Sequence, residues 1–162
     1  MSQLLLDEWK VTVVVPDVDG DGLDELLIFD SGGDATMFLG RSSWSGLTSD
    51  MADLSLPDVY SGGNFHSDAT AVDFDGDGYG DLLTGDEYAD PDGSNSGAAY
   101  VFLGLGSASG TLRVADADLT VEGHTDQIYL GSGVASAGDQ DGDGLPDAVL
   151  IPGTGYPRSQ VD

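Results

Sequence analysis

The chain has 162 residues, 40% of them hydrophobic, which supports one core of respectable size and is too apolar for an acidic disordered tail. Thirty acidic residues against four basic ones give a formal charge of −26, which repels nucleic acid and anionic membranes, so neither is expected as a partner. With no cysteine there is no disulfide framework, no thiolate metal site and no cysteine nucleophile.

The chain opens on MSQLLLDEWK, which lacks the basic region of a signal peptide, and no apolar run approaches the ~18 residues of a membrane span. No membrane insertion is expected, and export would depend on sequence outside this stretch. A β-branched run, VTVVV at 11–15, then leads into DVDGDGLDE at 17–25, and LLIF at 26–29 leaves it. The markers FLG (38–40) and ADLSL (52–56) follow.

The acidic stretch returns as DFDGDGYGD (73–81), with LL (82–83) behind it, and again as DQDGDGLPD (139–147), with AVLI (148–151) behind it. Between them lie the strand-like AYVFL (99–103), a second FLG (102–104) and ADLTV (117–121). The FLG markers lie 64 residues apart, the ADL markers 65, and the second and third acidic stretches 66. From the first acidic stretch to the second the offset is 56, while the FLG markers stay 64 apart, which places an eight-residue insertion in GDEYADPDGSNS (85–96). That segment reads as a long hairpin loop, with a fourth cation site built from Asp86, Glu87, Asp90 and Asp92 as the alternative.

These spacings predict an all-β chain and a single propeller segment over 1–162, with repeats at approximately 9–60, 61–124 and 125–162, the last one partial. Each full repeat is expected to be an antiparallel four-stranded blade whose first turn is the acidic stretch. About two and a half blades do not close a propeller, so the chain is expected to be an open segment, or one completed by oligomerisation or by missing sequence.

Carboxylates at positions one, three, five and nine of a nine-residue turn repel one another unless a cation sits among them. Calcium takes six to eight oxygens from carboxylates, carbonyls and water, and glycines at positions four and six permit the tight curl that alternate acids need in order to converge. The expected ligands are Asp17, Asp19, Asp21 and Glu25 with the Leu23 carbonyl; Asp73, Asp75, Asp77 and Asp81 with the Tyr79 carbonyl; and Asp139, Asp141, Asp143 and Asp147 with the Leu145 carbonyl. Magnesium prefers fewer protein ligands, and transition metals prefer imidazole or thiolate, so about three Ca²⁺ sites are expected. An EF-hand needs a glutamate at position twelve and flanking helices, whereas Ile28, Thr84 and Leu150 stand there and the flanks read as strands.

The DxDGDGxx[DE] loop between strands, at blade-length spacing, resembles the FG-GAP repeat of integrin α-subunit propellers and bacterial surface proteins. LGSGVASAGD (130–139) and GAAYVFL (97–103) are similar to the strands around that family's loop, while TGDE (84–87) and IPGT (151–154) replace its Gly-Ala-Pro, and Leu130-Gly131 stands for its Phe-Gly. The resemblance implies an FG-GAP-type β-propeller in which the ion is structural.

Extracellular calcium modules bind at about 10⁻⁴ to 10⁻³ M, so such sites fill outside cells, and an extracellular or cell-surface setting is expected. No catalytic constellation is evident: His66 and His124 lack metal-ligand spacing, and the glycine-rich stretch 104–110 carries no lysine. The expected function is a non-enzymatic structural or adhesive module whose partners are other chains or blades. The alternative is a glycan-binding lectin domain using Trp9, Trp44, Tyr60, Tyr88 and Tyr156 between blades.

Overall fold

Valine, isoleucine, leucine and phenylalanine fill the runs that enter and leave the acidic stretches, and glycine, serine and aspartate fill the gaps, a pattern that favours short strands joined by turns. The computed structural model of the chain describes residues 9–30, 34–45, 48–57, 69–105 and 109–153. Among these, regular structure consists of strands and single 3₁₀ turns such as Ser49–Met51 and Val114–Asp116. The fold is all-β.

Strands β1 (Trp9–Val15), β2 (Glu25–Asp30), β3 (Ala35–Phe38) and β4 (Leu54–Leu56) pair antiparallel in chain order. Strands β5 (Ala69–Val72), β6 (Asp81–Asp86), β7 (Ala98–Phe102) and β9 (Leu119–Glu122) do the same in a second sheet. A third sheet holds β10 (Gly133–Gly138) and β11 (Asp147–Ile151), also antiparallel. The first sheet departs from four strands because β8 (Gly110–Thr111) lies parallel to β4. The amides of Gly110 and Leu112 donate to the carbonyls of Asp53 and Ser55, at 3.1 and 2.9 Å, so the second repeat covers the open hydrogen-bonding edge of the first sheet.

The two-residue period of each strand sets which face meets which neighbour. Leu27 and Phe29 of β2, with Met37, Leu54 and Leu56, pack against Ala69, Ala71, Leu82 and Phe102 of the second sheet. Ile28 and Phe38 face the other way, with Leu26 and Ala52 against them. The opposite face of the second sheet, through Leu83, Ala99 and Val101, packs on Val134 and Leu150 of the third. The three sheets therefore stack face to face, and β5 lies between β1 and β10, so the first strands of the three sheets stand side by side. Buried on both faces, β6 shows no exposed residue along its length.

The inserted segment is ordered. The connection from β6 to β7 curls back so that Gly97 donates to the Ala89 carbonyl at 2.8 Å, and it is then sewn to residues 123–130 by amides donating from Gly123, Gln127, Tyr129 and Leu130 to the carbonyls of Gly97, Ser94, Asn95 and Ser96. Glycine is required where these backbones touch. A Cβ on Gly85 would fall on the carbonyl of Gly131, and one on Gly131, whose φ is +85°, would fall on the carbonyl of Ala98.

This close approach sets an order of effects. Gly85→Ala is expected to cost about 3 kcal/mol, because neither backbone has room to give. Gly110→Ala, which meets open space and carries only the strain of a positive φ, is expected to cost about 1 kcal/mol. Urea denaturation at one fixed calcium concentration checks this, and equal losses would refute the close packing of β6 on residue 131.

Candidate metal centre

Each acidic stretch forms the turn between the first two strands of its sheet: residues 17–25 join β1 to β2, 73–81 join β5 to β6, and 139–147 join β10 to β11. The expected curl is present at the expected places. Gly20 and Gly22, Gly76 and Gly78, and Gly142 and Gly144 all have φ between +76° and +93°.

The carboxylates organise the backbone by one repeated scheme. The first acid accepts from the amide at position six, at 3.0 Å in every loop, through Asp17, Asp73 and Asp139. The acid at position three accepts from the amide at position five, at 3.1 Å, and the acid at position five from the amide at position seven, at 2.8 Å. The acids at positions three and five thus form Asx turns that use one carboxylate oxygen each, while Asp73 and Asp139 also accept, through their other oxygen, from the amides of Gly76 at 2.7 Å and Gly142 at 2.6 Å.

Position nine does more. Glu25 accepts from the Val18 amide at 2.5 Å and the Gly40 amide at 3.2 Å; Asp81 accepts from Phe74 at 2.7 Å and Gly104 at 2.8 Å. The last residue of each FLG marker is therefore tied to the acidic loop of its own sheet. The leucine before it donates to a further aspartate, Leu39 to Asp53 and Leu103 to Asp118, both at 2.9 Å. Sequence reasoning used FLG and the ADL markers only to fix the repeat register and missed these two aspartates. Their signal was present, since Asp53 and Asp118 recur at a spacing of 65 residues.

Glu25 and Asp81 are almost fully buried. Burial pushes the Glu25 carboxyl above the usual range, with Asp19 and Asp17 adding to the rise and the two amides opposing it. Asp81 is raised by burial in the same way, against the Gly104 and Phe74 amides, with Asp75 and Asp77 adding to it. A cation beside either group would favour the charged form and offset that desolvation.

Side-chain oxygens of Asp17, Asp19, Asp21 and Glu25 come within 4.8 Å of one another, as do those of Asp73, Asp75 and Asp81, and of Asp139, Asp141 and Asp147. Asp77 and Asp143 stand outside their groups at that separation, whereas Asp21 stands inside. One oxygen of Asp17 is buried and accepts no hydrogen bond. Arg41 pairs with Asp53 and His124 with Asp92, and no loop carboxylate has a basic partner among the described residues. An all-oxygen, anionic set with an orphaned buried oxygen fits a hard divalent cation. The carbonyls of Leu23, Tyr79 and Leu145 belong to the seventh residue of each curl.

The fourth group does not assemble. Asp86 and Glu87 are buried, but Asp90 is exposed and accepts from the Asn95 amide at 2.5 Å, and Asp92 faces His124 at 3.3 Å; no converging carboxylate group includes them among the described residues. Of the candidate aromatics, the two with described side chains lie in different surroundings. Trp44 is half-exposed beside the Arg41 guanidinium, and Tyr88 packs edge-on against Tyr129 with ring centres 5.8 Å apart. Tyr60, Tyr156, His66 and the Trp9 side chain lie outside the described residues.

A family model described as an FG-GAP-like repeat matches residues 17–84, a span that opens at the first acidic loop and takes in the second. Integrin alpha-PS2 of Drosophila melanogaster is 29% identical over 160 residues, an alignment that covers 86% of this chain. The chain spans 11% of that relative's length. On the loops, the stacked sheets and these two matches together, the chain carries an FG-GAP/integrin-α-like repeat.

Proposed function

We propose that the chain is a calcium-clamped, non-enzymatic propeller segment that serves as a structural or adhesive module of an extracellular or cell-surface assembly, with other protein chains or blades as partners. The observation that carries this reading is the threefold recurrence of one loop, in which carboxylate oxygens gather within 4.8 Å with no basic partner among the described residues. Asp17, Asp19, Asp21 and Glu25 would hold the first ion, Asp73, Asp75 and Asp81 the second, and Asp139, Asp141 and Asp147 the third, each with the carbonyl at position seven. Asp77 and Asp143, outside the converged groups, would be the further ligands of the second and third ions.

The ion would supply charge neutralisation, and the chain's own groups do the rest. The acid at position nine links the loop to the start of the second strand and, through Gly40 or Gly104, to the turn after the third. Clamping the loop therefore holds three strands of a blade in register. The adhesive and cell-surface parts of the reading rest on the likeness to an integrin α-chain and on the weak calcium affinity typical of extracellular loops.

Calorimetric titration of chelator-stripped protein is expected to find about three calcium sites. At 1 mM calcium and a Kd near 10⁻⁴ M each site adds about 1.4 kcal/mol, so melting should rise by several degrees per site in calcium, and much less in magnesium. No calcium dependence would overturn the reading.

The geometry also ranks two substitutions. Asp75→Ala should remove most of the second loop's calcium-dependent stabilisation, and Asp77→Ala a smaller part, because only Asp75 already lies in the converged group. Thermal melts with calcium and with chelator check this. Equal losses in both conditions would make these residues turn formers and not ligands.

A further inference from the structure

The acidic loops do not stand apart: the first is covered by the second and the second by the third. The Tyr79 ring, at position seven of the second loop, lies over Gly20 at position four of the first, where a Cβ would sit 3.3 Å from Cε1 and 3.4 Å from Cδ1. Leu145, at position seven of the third loop, stands in the same relation to Gly76 of the second, 2.9 Å from a Cβ built there. Behind Tyr79, Gly80 is pressed against the first loop, its Cβ position 2.8 Å from the Asp17 carbonyl oxygen and 3.0 Å from the Val18 Cα. The pairing of position seven on position four thus occurs at both junctions between consecutive loops.

We infer that the three cation sites are positively coupled, and that Tyr79 and Leu145 are the positioning residues that couple them. The inference rests on the calcium reading of the loops. Residue 79 is placed by the curl of the second loop, where its amide donates to Asp77, so an ion that closes this loop would also fix the ring. Its ring then bears on the glycine between Asp19 and Asp21, restricting the segment that must close around the first ion. Part of the ordering entropy of the first site is thereby spent when the second fills, and by linkage the first site favours the second equally. Leu145 relates the third site to the second in the same way.

The test reads each loop separately, through the amide resonances of Gly22, Gly78 and Gly144 during a calcium titration of the whole chain. In the native chain, disabling the second loop with Asp73→Asn and Asp75→Asn should weaken calcium at the first loop about fivefold. With Tyr79→Ala the first loop should already be weakened, and the same two Asn substitutions should then change it less than twofold. Tyr79→Leu, which imitates the third loop, should restore the dependence, and Leu145→Ala should weaken the second loop. If the loops bind calcium but the first ignores both the Asn pair and Tyr79→Ala, the coupling is refuted while the calcium reading stands. If no loop binds calcium, both fall.

Discussion

The structure depends on a buried carboxylate at the first residue of the second strand. Glu25 and Asp81 sit where the acidic turn becomes sheet, lose nearly all contact with water, and accept two amides each, one from their own loop and one from the turn that follows the third strand. Two hydrogen bonds offset part of the desolvation, and the raised affinity of both groups for protons marks what remains. A cation in the loop would meet that remainder, so that a site which looks like a local turn would bear on the register of a whole sheet. Three divalent ions would still leave a net charge of about −20 from the formal −26, so the clamp and the acidic surface are separate features.

Stacking then follows from packing faces of different composition. The first and second sheets meet through large side chains, Phe29, Met37, Leu56 and Phe102, whereas the second and third meet partly through bare backbone at Gly85 and Gly131. The two junctions resist change differently. The large side chains can repack around a substitution; the glycine contact cannot, because the atoms in the way are carbonyls.

Much of this was legible in the sequence because the signals are local. The alternation of acid and glycine pointed to the turn, and the apolar runs to the strands on either side. What stayed hidden was long-range. Nothing in GT at 110–111 marks it as a strand, since its partner β4 lies more than 50 residues away and the pairing is parallel. The inserted segment reads as a loop and is one, yet its partners at 123–130 are invisible to spacing arguments. Asp53 and Asp118 were visible as repeats but not as hydrogen-bond acceptors, because their role appears only when the turn after the third strand returns to them.

The three loops are alike in curl and unlike in support. Glu25 and Asp81 each receive an amide from outside their loop, whereas Asp147, partly exposed, accepts only from Gln140 among the described residues. The third sheet has two described strands and exposes Val149 and Ile151, so its loop draws less from the surrounding fold. A site preorganised by the fold surrenders less entropy on binding, and one that is less supported gains more order from its ion. On the calcium reading, the third loop would therefore be the one in which binding and local folding are most nearly the same event, and the seat of Leu145 on Gly76 would carry that event to its neighbour.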